Sequence, residues 1–261
     1  MSAKGSRGLV FGAIALVFLG VVLLLNNFLL ITNFNVTALL PLLLVLVGVV
    51  SLLRGDFAVS KATKAFGITR GSVESGILEI SAGPIDVNIS AMEREGRLIA
   101  GQYSYDSRPQ LTVDGSEALL RFDRAATPWL SFADWKMEIA RDLPWSVFAS
   151  TSLGNISLDC SGLIIGKVNI GAGIGSIRFV CPQEAFEPLH LRSTLGNIRI
   201  LTPVGVRVHI VVKGPRSFGL HADENRYERL EDGSYVSREA NLENAEIELQ
   251  VHGTFGDLYL A

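Results

Sequence analysis

Two hydrophobic patterns divide this chain. Between Arg7 and Arg54 there is no charged residue, and two apolar runs, residues 9–31 and 36–53, lack any polar stripe. A helix needs roughly 20 apolar residues to cross a bilayer, whereas a helix packed on a water-soluble core keeps a polar face. The pattern predicts a transmembrane helical hairpin over residues 1–54. A secretory leader would show one apolar core of about 7 to 15 residues before a cleavage site; here the first run is longer and a second follows at once. Gly8, Gly12 and Gly20 would allow close helix packing, and Pro41 sits early in the second run, where a missing N–H is best tolerated.

Further along, apolar residues alternate with polar ones. Gly154-Asn-Ile-Ser-Leu, Gly175-Ser-Ile-Arg-Phe and Gly196-Asn-Ile-Arg-Ile begin 21 residues apart. Val147, Val168 and Leu189 keep that step, as do Ala149, Ile170 and Leu191, and it predicts Ile210 and Val212 for the next turn. Ile156, Leu158 and Cys160 against Ser157 and Asp159 show the period of two that marks half-buried strands. A short repeat of two strands with glycine corners predicts coils that bury their inward side chains against one another. The expected fold is therefore mainly β, a β-solenoid-like stack of short strands over residues 71–261, preceded by the two-helix hairpin.

Variants of the repeat at Gly83-Pro-Ile-Asp-Val and Gly256-Asp-Leu-Tyr-Leu fall outside the strict spacing and predict strands of the same architecture near its two ends. Residues 97–105, 110–123 and 135–140 read as ordinary antiparallel strands, the second with an Asp114-Gly115 turn. Residues 235–237 and 246–252 supply the last strands, and the polar stretch 221–233 reads as a solvated excursion.

Charge adds orientation. Lys4 and Arg7 precede the first run, while Arg54, Lys61, Lys64 and Arg70 follow the second. Short basic flanks stay on the cytoplasmic side, which predicts a multi-pass protein of the cell membrane with its C-terminal domain in the cytoplasm. Residues 55–70 read as a basic juxtamembrane linker, suited equally to anionic lipid head groups or to plain solvation. Asn35-Val36-Thr37 matches a glycosylation sequon, a match that beside an apolar run reads as coincidence. All 26 acidic residues but only 20 of the 23 basic ones lie beyond Arg54. That balance argues against nucleic acid as a partner.

Candidate chemistry is sparse. Gly171-Ala-Gly173-Ile-Gly175 resembles a phosphate loop, but a dinucleotide fingerprint needs a further glycine and an opening helix, and here Ser176 and a strand pattern follow. Cys160 and Cys181 are also 21 apart and should stack on adjacent coils, within disulfide reach. The alternation points both inward, and a cytoplasmic domain is kept reduced, so free core thiols are expected. His190, His209, His221 and His252 show no ligand spacing. No carboxylate pair and no nucleophile with a placed base stand out. The expectation is a non-enzyme: catalytic residues none, cofactor-binding residues none, metal ligands none.

Several of these segments resemble a known family. The Leu23-Leu-Leu-Asn-Asn27 ending of the first run and Pro41-Leu-Leu-Leu-Val-Leu-Val-Gly48 resemble the membrane hairpin of LiaF-like cell-envelope stress proteins. Trp135 to Pro144, Leu158-Asp-Cys-Ser-Gly-Leu163, Gly171 to Gly175 and Thr202-Pro-Val-Gly-Val206 resemble the toastrack domain of the same proteins, also known as adhesin-like. The resemblance implies a bacterial signalling regulator of the envelope stress response that works through protein contacts. Its implied partners are the lipid bilayer and a membrane histidine kinase, or another membrane protein, that it restrains. The alternative is an adhesin-like structural or binding scaffold displayed from the membrane, which would require an inverted hairpin or a single span.

Overall fold

The computed structural model describes residues 63–93, 96–104, 109–123, 134–238 and 245–261. The hairpin expected over residues 1–54 and the linker up to residue 62 lie outside them. The first strands are β1 (Thr63–Thr69), β2 (Ser75–Gly83), β3 (Asp86–Ala91), β4 (Arg97–Ser104), β5 (Gln110–Asp114), β6 (Glu117–Asp123) and β7 (Asp134–Ile139). The central ones are β8 (Pro144–Leu153), β9 (Ile156–Asp159), β10 (Ile164–Ile174), β11 (Ile177–Val180), β12 (Glu184–Ala185), β13 (Leu189–Leu195) and β14 (Ile198–Leu201). The chain closes with β15 (Val208–Lys213), β16 (Phe218–Ala222), β17 (Tyr227–Arg229), β18 (Tyr235–Ser237) and the long β19 (Ile247–Leu260).

Alternation dictates the arrangement. A strand whose every second residue is apolar buries only one face, and two such strands joined at a glycine corner form one rung. Parallel pairing stacks the rungs in the spatial order β6–β7, β2–β3, β8–β9, β10–β11, β13–β14, β19, β15–β16. The first strand of each rung lies in one sheet, here sheet I, and the second in sheet II; β19 bends at Phe255-Gly256 and serves both. Apolar columns then run the length of the stack. Phe122, Ile80, Ala149, Ile170, Leu191, Val251 and Val212 are successive register partners in sheet I. Trp135, Val87, Ile156, Ile177, Ile198, Leu258 and Leu220 are the same in sheet II. The wide Trp145 fits because Gly76 lies beside it, where a Cβ would come within 2.4 Å of the indole. Its ring N–H donates to the Ala140 carbonyl at 2.8 Å.

The corners explain the repeated glycine. Gly175 and Gly196 have φ of +148° and +147°. A Cβ on Gly175 would lie 2.0 Å from the Gly154 carbonyl oxygen, and one on Gly196 would lie 2.1 Å from that of Gly175. Each corner thus rests on the backbone of the corner beside it, leaving no room for a side chain. The next residue uses an amide or carboxylate to bridge rungs. The Asn155 N–H donates to Asp86 Oδ1 at 2.6 Å, the Ser176 N–H to Asn155 Oδ1 at 2.9 Å, and the Asp257 N–H to Asn197 Oδ1 at 3.0 Å.

Four expectations need correction. The 21-residue step holds for three rungs, but β19 enters next to β13–β14, so Ile210 and Val212 pair with Leu249 and Val251 instead of Leu189 and Leu191. Burial accounts for this: β19 carries five buried apolar residues, whereas β15–β16 at the end of the parallel stack leaves Val212 and Leu220 partly open. At the other end β6 and β7 are parallel to β2 and β3, forming a rung where plain antiparallel strands were expected. Antiparallel strands appear only as caps: β4 on β7, β1 on β4, β5 on β6, β18 on β15 and β17 on β18. Residues 63–69, read as linker, form β1, because Phe66 and Ile68 pack on the core and Phe66 meets the rings of Tyr103 and Phe122. Arg70 then pairs with Asp142. Finally, the excursion 221–233 contains β17, whose Tyr227 is buried.

Candidate interaction surfaces

The described interior holds two thiols. Cys160 and Cys181 are free and wholly buried, as the alternation predicts. Burial pushes both thiols up, that of Cys181 to about 12 against a hydrogen bond from Thr202 that lowers it. Thiolate is the nucleophilic and metal-binding form, so neither group is primed for chemistry. Thr202 continues their column, again 21 residues on, a step that the sequence already contained and that sequence reasoning did not use. Its Oγ1 lies 3.7 Å from Cys181 Sγ and accepts from the Tyr227 hydroxyl at 2.7 Å. Arg226 donates to the Thr202 carbonyl, and this polar knot ties the β16–β17 excursion to the rungs.

The four histidines stand apart. His209 Nε2 is 2.9 Å from Ser234 Oγ. His221 stacks on Tyr259 with ring centroids 5.0 Å apart, its Nε2 3.4 Å from Asp257. His190 lies beside Gln250 on β13, and His252 lies on β19. Among the described residues no group of three or more His, Cys, Asp or Glu could hold a metal ion. Gly171 to Gly175 forms the end of β10 and its corner, and strand β11 follows, so the backbone does not cradle a phosphate at a helix start. A shallow depression of about 340 Å³ on the outer face of sheet I is lined by Glu79, Arg121, Asp123, Phe148 and Asn169. Within it Arg121 meets Glu79 at 2.7 Å.

The outer surface is more informative. Leu153, Ile174, Leu195 and Phe255 are successive register partners at the corner between the sheets. Their exposures are 47, 50, 50 and 53%. Each continues the inward, apolar phase of its strand, after Thr151, Ala172, Ser193 and Gly253, yet at the corner four consecutive rungs leave these large apolar side chains half-exposed. At about 4.8 Å per rung the column is about 14 Å long. A contiguous apolar patch exposed to water is the usual mark of a contact site. Sequence reasoning missed it, although the signal was present: the residue just before each repeated glycine is Leu, Ile, Leu and, at the variant, Phe.

Beyond the glycine corner, on the outer face of sheet II, runs a second column: Lys136, Asn88, Ser157, Arg178, Arg199, Tyr259 and His221. It contains no carboxylate.

No protein-family model matches this chain, and no curated protein matches it. Two solved structures do. A candidate cell adhesion protein from Clostridium sporogenes is 16% identical with a TM-score of 0.65, covering 76% of this chain and 98% of its own. A candidate adhesin from Bacteroides fragilis is 11% identical with a TM-score of 0.30, covering 78% and 99%. The first likeness shows the fold alone: a mainly β architecture shared with that candidate cell adhesion protein.

Proposed function

We propose that this chain is a membrane-tethered, non-enzymatic β-scaffold that works by docking other proteins along the Leu153–Ile174–Leu195–Phe255 column. That column carries the reading. Exposing four large apolar side chains to water is unfavourable by about 25 cal/mol for each Å² left uncovered, and a partner surface would remove that cost. The fold neighbour from Clostridium sporogenes is a candidate cell adhesion protein, which accords with a role in contact. The tether is the apolar pair of runs at residues 9–31 and 36–53.

The partner class follows from the resemblance to LiaF-like proteins. In that reading the hairpin meets a membrane histidine kinase, the stack conveys the envelope state to it, and the C-terminal domain is cytoplasmic, as the basic flanks Lys4, Arg7, Arg54 and Lys61 favour. The adhesive alternative places the same column outside the cell. Alkaline phosphatase fused after Ala261 separates the two: it stays inactive in the cytoplasmic arrangement, and activity there selects the external scaffold.

Docking itself is tested with Ile174→Glu and Leu195→Glu in the full chain. Both side chains are half-exposed at the corner, so the fold should persist with only a modest loss of stability, read by its melting transition. Cross-linked complexes with other proteins should fall at least tenfold. Complexes that persist undiminished in both variants overturn the reading. Under a cell-wall antibiotic, deletion of the gene should alter the envelope-stress transcript profile; an unchanged profile removes the regulatory role and leaves the scaffold.

A further inference from the structure

Arg178 and Arg199 are direct register partners on β11 and β14, both exposed, one rung apart. Like charges directly opposite on adjacent strands are destabilising. On or beside sheet I three cations meet acids: Arg121 with Glu79, Lys167 with Glu187, Arg207 with Glu246. Among the described residues neither Arg178 nor Arg199 has an ion pair. Their flanking positions on the same rungs are Ser176 and Asn197 on one side and Val180 and Leu201 on the other. Arg199 lies over the ring of Tyr259, 5.7 Å from its centroid, and His221 stacks against that ring. This arrangement holds one guanidinium in place and leaves the pair's charge open to solvent.

We propose that Arg178 and Arg199 bind an acidic segment of a partner protein, so that the contact surface continues from the apolar column around the glycine corner onto sheet II. The inference rests on the docking reading above and adds the chemistry of the partner. Guanidinium forks match carboxylates in bidentate geometry. Two forks about 4.8 Å apart suit carboxylates three or four residues apart on a helix, whose Cβ atoms lie about 5 to 6 Å apart. Ile174 and Leu195 sit four residues before Arg178 and Arg199 on the same rungs, so one amphipathic segment can reach both features. A lipid surface fits less well. Asp134, Asp86 and Asp257 line the corner of this same face, and Glu138 and Asp159 its far side, where a plane of anionic head groups would meet repulsion. A narrow segment laid across two rungs meets none of these acids directly opposite it.

The test places a photo-cross-linking amino acid at Ser176 in the full chain, in its own cells, and sequences the captured peptides. Acidic peptides of other proteins are expected, with a yield at least fivefold lower in Arg178→Glu/Arg199→Glu and intermediate in Arg178→Lys/Arg199→Lys. Arg192→Glu on sheet I should leave the yield unchanged. Neutral or basic peptides, peptides of this chain, lipid adducts, no adduct, or a yield indifferent to the arginines each overturn the inference. If capture at Ser176 is indifferent to the arginines but lost in Leu195→Glu, the apolar docking column stands and only its acidic partner falls. If capture is lost in neither, both fall together.

Discussion

Ile177 and Arg178 are adjacent in the chain and opposite in consequence. The first is buried between Ile156 and Ile198, and the second projects into solvent. Burying Ile177 contributes about 1.5 to 3 kcal/mol, and a carboxylate in its place would be an unpaired buried charge. Ile177→Asp is therefore expected to lower stability by more than about 3 kcal/mol and Arg178→Asp by less than about 0.5, as read by denaturant unfolding. The cysteines give a pH signature. Burial holds the Cys181 thiol at about 12, above its ordinary 9.0, so the folded state keeps its proton where the unfolded state has released it. That contribution is complete below pH 9 and is lost as pH rises from about 9 toward 12; Cys181→Ala should flatten the alkaline slope of stability. In the native protein both thiols should resist a disulfide reagent at pH 8 and react once it is unfolded. Fast labelling of the folded chain would contradict the burial.

At the level of the element, the glycine corner and the rung define what can change. Gly196→Ala places a methyl group against the Gly175 backbone at a φ that side chains avoid, and a loss of about 2 to 4 kcal/mol is expected. Gly171→Ala is the matched control: an added Cβ meets nothing within 4 Å, and the melting temperature should hardly move. A Gly196→Ala protein as stable as its parent would mean that the corners do not stack as described. The element scale also shows how a repeat hides a surface. Inward positions at Ile156, Ile177 and Ile198 read directly from alternation, and by the same parity Leu153, Ile174 and Leu195 read as inward too, although all three are about half-exposed. In the sequence they look like ordinary core positions near the end of a strand. Only the folded corner, which brings them to the surface one above the other, turns these three residues and Phe255 into a continuous column.

For the whole molecule, order in space departs from order in sequence at both ends. β6–β7 lies outside β2–β3, and β19 lies inside β15–β16. β19, the last of the described strands along the chain, is thus an interior rung, and the stack closes only once it is in place. Deleting residues 245–261 should unfold the stack instead of shortening it by one rung; a truncated protein that retains a cooperative melting transition would refute this. The rung, its inward face, its glycine corners and the buried thiols were legible in the sequence, because each depends on residues within one repeat and on the two-residue period of a strand. The place of β19, the parallel pairing of β6 and β7, and the incorporation of residues 63–69 into the sheet were not. These depend on which apolar edge buries most surface once several rungs exist, a comparison among distant segments that local periodicity does not encode. The juxtaposition of Arg178 with Arg199 belongs between the two: the shared 21-residue step placed them in line, and parallel in-register pairing made them neighbours.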